Sequence, residues 1–472
     1  MNAPVVGQPG GTAGLRRLHW NPWVDCPGGA AKGTDVSQVT STVRGPRASL
    51  LDTEAPTGDQ QAEVIVVGAG PAGSATATFL ARYGVDVVLL DKARFPRDKI
   101  CGDGLTPRSV RMLARLGIDT SPEAGWHHLK GLRVYGGRVG QLDMEWPVLK
   151  DFPNYGLVCP RIVLDDLLAG NAVEAGAKLY TGVRVTEPVI DATGHVKGVK
   201  DATGRVWSAP VVVAADGNSA RLAVNAGRSH DTRAPIMGVA VRAYYESPKH
   251  DMEWIESWLE LRDGTDLLPG YGWAFPTGAG TVNVGLGMLN SSAAFGNTDY
   301  RELQRRWLAS TPPEWGFTEV NRVTEIRGAA LPMCLNRQPL YADGLLLVGD
   351  AAGMISPFNG EGIDYAMEAG QYAATAIVDA KSRGFGTSGA ELALNNYGVV
   401  VKEAWGSHYR LGKAFVKLIG NPRIMHLCVH YGLSNRRLMI LVNKLLANLT
   451  DRHDGDVYDK IINSLEKLAP SG

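Results

Sequence analysis

The feature that most constrains this fold is a glycine-rich turn between a strand-like run and a helix-like run. Residues 62–67 are rich in β-branched side chains and lead into Gly68-Ala69-Gly70-Pro71-Ala72-Gly73, which has the spacing G-x-G-x-x-G. A helix-compatible stretch follows to residue 82. Strand, glycine turn and helix in this order predict a βαβ unit that binds a dinucleotide, with all six turn residues in the cofactor site.

Each glycine of the turn has its own physical role. Gly68 permits the tight turn, Gly70 lets the backbone approach a pyrophosphate, and Gly73 allows the helix to pack closely on the strand. The phosphates then lie at the helix N-terminus. A second predicted strand, residues 85–90, ends at Asp91, whose carboxylate we expect beside the adenosine ribose hydroxyls.

Composition excludes several other classes of protein. The chain has 472 residues, enough for two or three domains, and its 48 Lys and Arg balance 48 Asp and Glu, so nucleic acid is not an expected ligand. The cysteines lack the paired spacings of metal or iron–sulfur sites, so we expect reduced thiols and no metal. They are Cys26, Cys101, Cys159, Cys334 and Cys428.

Neither a membrane span nor a secretory signal is expected. Every apolar run is shorter than the roughly 20 residues that cross a bilayer, which indicates a cytoplasmic protein. Residues 1–60 are rich in Gly, Pro, Ser and Thr without sustained hydrophobic periodicity. We therefore expect a flexible leader outside the fold, although Trp20 and Trp23 could dock on it.

Two later segments place an acid at the end of a buried strand. Residues 211–215 lead into Asp216-Gly217, and residues 344–348 lead into Gly349-Asp350. Open α/β sheets bind ligands at the carboxyl ends of their strands, so both acids are candidates for the cofactor site. A plain turn is the alternative for Asp216-Gly217.

The single G-x-G-x-x-G argues against a separate nicotinamide domain, so the electron donor should bind transiently, as NAD(P)H or a small redox protein.

This order of motifs resembles the para-hydroxybenzoate hydroxylase-like superfamily of FAD enzymes. The resemblance implies that Asp350 binds the ribityl hydroxyls and that Gly362 and Ile363 open a helix beneath the pyrimidine edge of the flavin. The positive end of that helix would stabilise negative charge on the reduced ring. Arg161 matches an arginine that lies near the flavin in this superfamily, unless it is a solvated surface residue, and Val185 is also assigned to the cofactor.

Residues 99–108 closely resemble a segment of the geranylgeranyl reductase family. In that family the stretch lies against the isoalloxazine ring, which implies that Cys101, Gly102, Asp103 and Gly104 contact the flavin. Two glycines would let the backbone approach a flat ring, which supports the assignment independently. The alternative for Cys101 is a small buried hydrophobic residue.

An aromatic strand next to a glycine-containing strand predicts a ligand slot. Tyr271, Trp273 and Phe275 alternate, so a strand would put the three rings on one face, and Gly285 and Gly287 would share a face of the next strand. Together they suggest a slot for a thin apolar ligand, or else an ordinary aromatic core. The resemblance implies the wall of an isoprenoid tunnel. Flavin-dependent halogenases have Trp-x-Trp-x-Ile-Pro where this chain has Trp-Ala-Phe-Pro, which disfavours halogenation.

The C-terminal segment resembles one branch of the same family. Residues 408–415 and 421–425 resemble the tail of the actinobacterial menaquinone reductases, and the resemblance as a whole covers about residues 63–451. Basic residues predominate over 402–444 and an apolar run covers 438–446. A basic amphipathic helix can lie on an anionic membrane surface, whereas helices that cap the core would explain the same pattern.

These observations predict an α/β fold of the para-hydroxybenzoate hydroxylase type. We expect a discontinuous FAD-binding domain, an antiparallel substrate sheet and a C-terminal helical segment. The expected ranges are 61–127, 159–232 and 326–390 for the FAD domain, 128–158 and 233–325 for the sheet, and 391–472 for the helices.

The expected activity is FAD-dependent saturation of an isoprene double bond in a polyprenyl lipid. Menaquinone is the first choice and a geranylgeranyl lipid the second, with the enzyme peripheral on the inner face of the cell membrane. Candidate proton donors are Cys101, Tyr271 or an ordered water. The rival hypotheses are a flavin-dependent aromatic monooxygenase and a non-catalytic lipid or quinone carrier, and an iron–sulfur quinone oxidoreductase is disfavoured because no cysteine cluster exists.

Overall fold

The computed structural model describes residues 51, 53–228, 230–231, 236–291, 295, 298–452 and 454–469. The strands of this part are β1 Gln60–Gln61, β2 Val64–Val67, β3 Val87–Leu90, β4 Gly104–Leu105, β5 Gly131–Gly136, β6 Gly140–Glu145, β7 Leu157–Val158, β8 Lys178–Tyr180, β9 Val185–Ile190, β10 Val196–Asp201, β11 Val206–Ser208, β12 Val211–Ala214, β13 His230–Asp231, β14 Met237–Glu246, β15 Trp254–Trp258, β16 Arg262–Asp263, β17 Asp266–Leu267, β18 Gly270–Pro276, β19 Thr281–Leu289, β20 Arg327–Pro332, β21 Arg337–Gln338, β22 Tyr341–Ala342 and β23 Leu345–Leu347. The α-helices are α1 Pro71–Arg82, α2 Pro107–Arg115, α3 Arg161–Glu174, α4 Arg221–Asn225, α5 Tyr300–Leu308, α6 Ile363–Ser382, α7 Ser388–Ile419, α8 Pro422–Leu427, α9 Arg436–Leu446 and α10 Val457–Leu468.

A six-stranded sheet forms the centre of the dinucleotide-binding part. Its strand order is β22-β23-β12-β2-β3-β8, and every neighbouring pair is parallel except β22 with β23. The central strands β2, β3, β12 and β23 are buried along their whole length, as expected for apolar runs covered on both faces. Helices α1 and α6 pack against each other. The predicted α/β FAD-binding fold is confirmed.

A seven-stranded sheet forms the second layer. Its order is β20-β14-β19-β18-β15-β5-β6, and its neighbouring pairs are antiparallel except β15 with β5, which is parallel. The predicted antiparallel sheet is present, with one parallel pair, β15 with β5, that the sequence analysis did not anticipate. The chain passes through the dinucleotide-binding part between β5 and β15, so no hairpin fixes their relative direction.

The boundary of this sheet also differs from the prediction. Strand β20 pairs with β14 over Met237 to Arg242, so the sheet extends to residue 332, whereas the sequence reading ended it at residue 325. The six residues of β20 alternate only weakly in burial. Their place is fixed by pairing with a strand some 90 positions earlier, which local pattern does not reveal.

The last part of the predicted leader packs on the fold. Leu51 is 1% exposed within the core, and the Thr53 hydroxyl donates to the carbonyl of Leu179. Strand β1 pairs in parallel with β11. The prediction of a leader outside the fold is wrong for residues 51 and 53–60, because an edge strand recruits backbone hydrogen bonds that need no apolar pattern. Residues 1–50, including Trp20 and Trp23, lie outside the described residues.

The C-terminal helices pack along the dinucleotide-binding part. Helix α7 has 32 residues and packs on α6, with the Trp405 indole edge-on to the ring of Tyr365 at 5.1 Å between centroids. Helix α10 returns to α7, where Glu466 contacts the His408 ring at 3.0 Å. Among the described residues, no helix is long and apolar enough to cross a membrane.

Candidate functional site

One cavity of about 950 Å³ is lined by all three parts of the fold. Its walls include the glycine turn after β2, the loop between β3 and α2, the aromatic face of β18, and residues of α7, α8 and α9. The carboxyl ends of β3, β12 and β23 open onto the same cavity. The polar dinucleotide end and the apolar end thus belong to one continuous space.

The glycine turn has the close contacts that the sequence analysis requires. A Cβ on Gly68, whose φ is +104°, would lie 2.3 Å from the carbonyl oxygen of Ala215, and one on Gly73 would lie 1.8 Å from that of Gly68. Gly70 instead faces two guanidinium groups. A Cβ on Gly70 would lie 3.7 Å from Nη2 of Arg97 and 4.0 Å from Nη2 of Arg161. The turn is therefore packed tightly against the backbone at Gly68 and Gly73 and has free space at Gly70, which fits a bound pyrophosphate.

Asp91 directly follows β3 and holds two loops together. Its Oδ2 accepts the N–H of Ala69 and its Oδ1 accepts the N–H of Ala93, both at 2.8 Å. Asp91 also lines the cavity, as do Pro71, Ala72 and Val185 of the predicted cofactor site. The carboxylate thus fixes the shape of the glycine turn while it faces the space that we assign to the ribose.

Asp216 and Asp350 follow the adjacent parallel strands β12 and β23, and both line the cavity. The Oδ2 of Asp216 accepts the N–H of Leu222 at 3.1 Å, while its Oδ1 is buried with no partner among the described residues. Burial raises the pKa of Asp216. An unpartnered carboxylate oxygen at this position fits a ligand hydroxyl. Gly217 lines the cavity beside it, with φ +75°.

Helix α6 begins at this cavity. Gly362 is its N-cap and Ile363 its first residue, and both line the cavity. Among the residues that the structure describes, no side chain caps this N-terminus. A Cβ on Gly349 would lie 2.9 Å from the Cβ of Ala72, so this glycine packs behind the site and does not line it. The N-terminus of a 20-residue helix supplies backbone N–H groups and a positive partial charge to a ligand in front of it.

The loop from Cys101 to Gly104 lies against the aromatic strand. A Cβ on Gly102 or on Gly104 would lie 3.1 Å from Cε2 of Phe275, so both glycines allow the loop to approach that ring. All four loop residues line the cavity. Cys101 lies within the site, and burial raises the pKa of its thiol.

Asp103 links the loop to the substrate sheet. It adopts a φ of +67°, and its carboxylate accepts the Asn283 amide at 2.7 Å, the Tyr244 hydroxyl and the Arg161 N–H at 3.3 Å. The Trp273 indole N–H donates to the same Asn283 side chain at 3.0 Å. Burial raises the pKa of Asp103 to about 6, against the lowering effect of these hydrogen bonds. The sequence analysis missed Asn283 and Tyr244, although an amide side chain next to the glycines on one face of β19 was a signal.

Arg161 is buried and paired, so the alternative of a solvated surface arginine is wrong. It is 7% exposed, lines the cavity, and donates to both oxygens of Asp165 at 2.6 and 2.8 Å. Burial alone would lower the pKa of Arg161, but the Asp165 carboxylate raises it. Arg97 donates to Asp165 at 2.7 Å and also lines the cavity. The sequence analysis missed Arg97, although four basic residues lie between Asp91 and Cys101.

The three rings of β18 lie side by side and line the cavity. The centroids of Tyr271 and Trp273, and of Trp273 and Phe275, are each 6.0 Å apart. Gly287 also lines the cavity, but Gly285 does not. A Cβ at Gly285 would lie 2.3 Å from Cζ2 of Trp273. The predicted open slot at Gly285 is therefore wrong, because the Trp273 indole fills it.

A large apolar part of the cavity wall lies beyond the rings of β18. It comes from one face of the seven-stranded sheet and from the inner faces of the C-terminal helices, which the sequence analysis had only partly assigned. The sheet contributes Leu132, Val134, Met144, Trp146, Ile255 and Leu259. The helices contribute Phe415, Ile419, Met425, Val429, Leu433, Leu438, Met439, Val442 and Leu446. Such a wall suits a long hydrocarbon chain.

Glu361 is an acidic group to which the sequence analysis assigned no role. It lines the cavity beside Gly362 and accepts hydrogen bonds from the hydroxyls of Thr106 at 2.5 Å and Ser109 at 3.2 Å. Burial, followed by the charge of Asp364, raises the pKa of Glu361 to about 8. Its position in a segment of glycines directly before a helix was the available signal.

The residues present fit FAD on structural grounds. The tight glycine turn, the unpartnered oxygen of Asp216 and the uncapped N-terminus of α6 open onto one cavity. Asp91, Asp216 and Asp350 supply acceptors at the ends of three parallel strands. These residues would hold the dinucleotide, while the loop from Cys101 to Gly104 would face the flavin ring.

Comparison with known proteins agrees with this geometry. The family model described as "FAD binding domain" matches residues 61–388. A menaquinone reductase of Mycolicibacterium smegmatis is 35% identical over 404 residues, covering 84% of this chain and 94% of that protein. A digeranylgeranylglycerophospholipid reductase of Methanothrix thermoacetophila is 30% identical over 374 residues, covering 77% of this chain and 90% of that protein.

A solved structure shares the fold. The crystal structure of a geranylgeranyl bacteriochlorophyll reductase-like protein from Thermoplasma acidophilum superimposes with a TM-score of 0.68 at 22% identity. The match covers 86% of this chain and all of that one.

Proposed function

Because the chain belongs to the geranylgeranyl reductase family of FAD-dependent oxidoreductases, we propose that it saturates an isoprene double bond of a polyprenyl lipid. The side chain of menaquinone is the first choice of substrate. The menaquinone reductase of M. smegmatis matches this chain over 94% of its own length, and the more distant archaeal relative is named for a digeranylgeranyl lipid. Both names point to a polyprenyl chain as the reacting group.

The single observation that carries this proposal is the shared cavity. The dinucleotide turn, the aromatic face of β18 and the apolar faces of α8 and α9 line one space. A bound FAD would supply the two electrons as a hydride. The side chains around it would hold one double bond of a long chain in place and exclude water from it.

The chemistry demands alignment more than a nucleophile. An isolated double bond has no neighbouring carbonyl to polarise it, so hydride transfer to one carbon must be coupled to protonation of the other. We assign the alignment to Tyr271, Trp273, Phe275 and Gly287, which line the cavity on one face of the sheet. The Asn283 bond to the Trp273 indole fixes the orientation of the central ring.

Cys101 and Tyr271 are the proton donors that the sequence suggests. Burial raises the pKa of both groups, so each is a weaker acid than usual. The Tyr271 hydroxyl donates to the carbonyl oxygen of Asn359 at 2.7 Å. Its proton is therefore engaged by the backbone.

We further propose that the C-terminal helices lie on the membrane that holds the lipid. Leu427, Tyr431 and Leu438 are exposed by 58%, 56% and 41%, and Leu438 also lines the cavity. Exposed Arg436 and Arg437 precede Leu438 on α9. Exposed apolar side chains beside basic ones suit the surface of an anionic membrane, from which a polyprenyl chain could reach the cavity.

The electron donor would bind transiently. The matched FAD-binding family covers residues 61–388, and the chain has one dinucleotide turn, so we propose NAD(P)H or a small redox protein as the reductant. Stopped-flow reduction of the bound flavin by NADH, NADPH and a reduced ferredoxin would rank these donors. Failure of all three to reduce the flavin would contradict this part of the proposal.

The substrate experiment is anaerobic turnover with dithionite as reductant. Menaquinone and a geranylgeranyl lipid are supplied separately, and mass spectrometry should find a product heavier by two hydrogens, formed faster from menaquinone. Formation of a hydroxylated aromatic only in air would favour the monooxygenase hypothesis. No product from either lipid, with FAD bound and reducible, would favour the carrier hypothesis.

A further inference from the structure

Glu361 lies where the cofactor end of the cavity meets the substrate end. It immediately precedes Gly362, the N-cap of α6, and both residues line the cavity. Tyr271 of the aromatic strand lies close on the other side: its hydroxyl is 3.9 Å from the position of a Cβ on Gly360. Glu361 therefore belongs to the short loop that runs from beside the Tyr271 hydroxyl to the helix end assigned to the flavin.

The Glu361 side chain is held in place by three donors. Thr106 and Ser109 donate to Oε1 at 2.5 and 3.2 Å, and the Asn359 amide contacts Oε2 at 3.3 Å. Thr106 and Ser109 flank the start of α2, and Asn359 belongs to the loop before α6. These three hydrogen bonds, none of them from a charged group, fix the position of the carboxyl group.

The charged and titratable groups that face Glu361 come from α2, α6 and β18. They are Arg108, Asp364, Tyr365 and Tyr271. Arg108 is engaged elsewhere, by Asp364 at 3.0 Å and by Glu368 at 2.6 Å. Burial and the nearby Asp364 charge outweigh Arg108 and raise the pKa of Glu361 to about 8, so its carboxyl holds a proton at neutral pH.

Asp103, Cys101 and Tyr271, which line the substrate end of the cavity, are less suited than Glu361 to give up a proton. Asp103 has a pKa of about 6 and accepts three hydrogen bonds, which makes it an ionised acceptor at neutral pH. Burial raises the pKa of the Cys101 thiol above its ordinary value and that of the Tyr271 hydroxyl well above its own. Glu361 is therefore a stronger acid than either the Cys101 thiol or the Tyr271 hydroxyl.

We propose that Glu361 is the catalytic acid of the reduction, donating its carboxyl proton to the alkene carbon that does not receive the hydride. The π bond breaks and two C–H bonds form, with the hydride and its electron pair supplied by the reduced cofactor. Glu361 is left as a carboxylate that keeps its bonds from Thr106 and Ser109, and water restores its proton after product release. This role rests on the proposed function.

The test compares Glu361→Gln with wild-type holoenzyme in anaerobic single turnover of menaquinone after dithionite reduction. Glutamine has nearly the same size as glutamate and keeps an oxygen that accepts the Thr106 hydroxyl, but it has no acidic proton. We expect the rate to fall at least about 100-fold, the lower range for a general acid, with FAD content and melting temperature retained. Glu403→Gln, an exposed change on α7, is the matched control.

The pH profile separates a catalytic role from a structural one. The wild-type rate should fall as pH rises through about 8, because the acid form of Glu361 is lost. This alkaline limb of the pH–rate profile should disappear in Glu361→Gln but persist in Glu361→Asp. Cys101→Ser and Tyr271→Phe should keep the limb whatever their rates. A Glu361→Gln enzyme within tenfold of wild type, with the limb intact, would overturn the proposal.

An infrared titration tests the proton without turnover. The difference spectrum between oxidised wild-type and Glu361→Gln holoenzymes, without lipid, should show a protonated carboxyl band at pH 7 that vanishes above about pH 8. If the wild-type enzyme is active but shows no band at pH 6, the proposed role of Glu361 is overturned and the proposed function is not. An inert wild type with the band present would overturn the proposed function, and the catalytic role with it.

Discussion

The indole of Trp273 covers Gly285 so closely that a Cβ at residue 285 would lie 2.3 Å from its Cζ2 and 2.4 Å from the carbonyl oxygen of Val241. The missing side chain of Gly285 therefore makes room for the Trp273 ring, and Gly285 does not itself line the cavity. The same indole donates to Asn283, which donates in turn to Asp103 of the flavin loop. The position of one ring thus couples the lipid wall to the cofactor loop.

Gly285→Ala is expected to destabilise the protein by about 1 to 3 kcal/mol, since the added methyl group must displace the indole or the β14 backbone. Gly287→Ala is the matched control, because its Cβ would lie 3.6 Å from the nearest atom, an ordinary contact. Urea unfolding of the two variants measures the difference. Equal midpoints would show that Trp273 can move away at no cost.

The cofactor site predicts that Asp350→Ala and Gly70→Trp each yield protein that purifies with little FAD. The first removes an acceptor at the end of β23, and the second fills the space between the glycine turn and the guanidinium groups of Arg97 and Arg161. Flavin absorbance relative to protein absorbance is the measurement. Gly58→Ala is the control, since a Cβ there meets nothing within 4 Å. Full flavin content in both variants would show that the cofactor site is misplaced.

Deletion of residues 1–61 should lower stability, whereas deletion of residues 1–50 should leave it unchanged. The longer deletion removes the buried Leu51 side chain, worth about 1.5 to 3 kcal/mol, and the pairing of β1 with β11. Thermal melting of the two truncated proteins and the full chain gives the comparison. The same melting temperature for both deletions would mean that residues 51–61 contribute nothing to the fold.

Reversal of three exposed basic residues of the C-terminal helices should weaken binding to anionic vesicles. Lys417, Arg436 and Arg437 changed together to Glu remove roughly 1 kcal/mol each, or more than a hundredfold in binding overall. Co-sedimentation with vesicles containing phosphatidylserine is the assay, and raised salt should weaken the wild type similarly.

The matched control reverses Arg301, Arg305 and Arg306, which are exposed on α5. Equal loss of vesicle binding in both triple variants would indicate a general charge effect. Unchanged binding of the C-terminal variant would leave core capping as the explanation of the basic pattern in those helices.

The cofactor end of the molecule was predictable because its signals are local. Strand, turn and helix occupy residues 64–82 in unbroken order, and the acids at 91, 216 and 350 directly follow strands whose burial shows in their composition. A parallel sheet then brings the ends of those strands together without further information. The family resemblance added the identity of the dinucleotide.

What the sequence did not reveal depends on pairing between distant segments. The parallel contact of β15 with β5 and the addition of β20 to the sheet have no local pattern. Gly285 suggested an open slot because nothing in the sequence shows that Trp273, twelve residues earlier, would fill it. Glu361 gained its role only when α2 brought Thr106 and Ser109 to it from 250 positions away.

The far wall of the cavity is built from residues 415–447, which follow the segment matched by the FAD-binding family. The far wall is therefore separate in the chain from the dinucleotide turn, whereas the aromatic face of β18 lies within the matched segment. The length and the apolar side chains of the last helices can change to suit a different hydrocarbon while the residues of the dinucleotide site stay the same. An exchange of this tail between relatives would replace the far wall of the cavity and leave the dinucleotide turn and the rings of β18 unchanged.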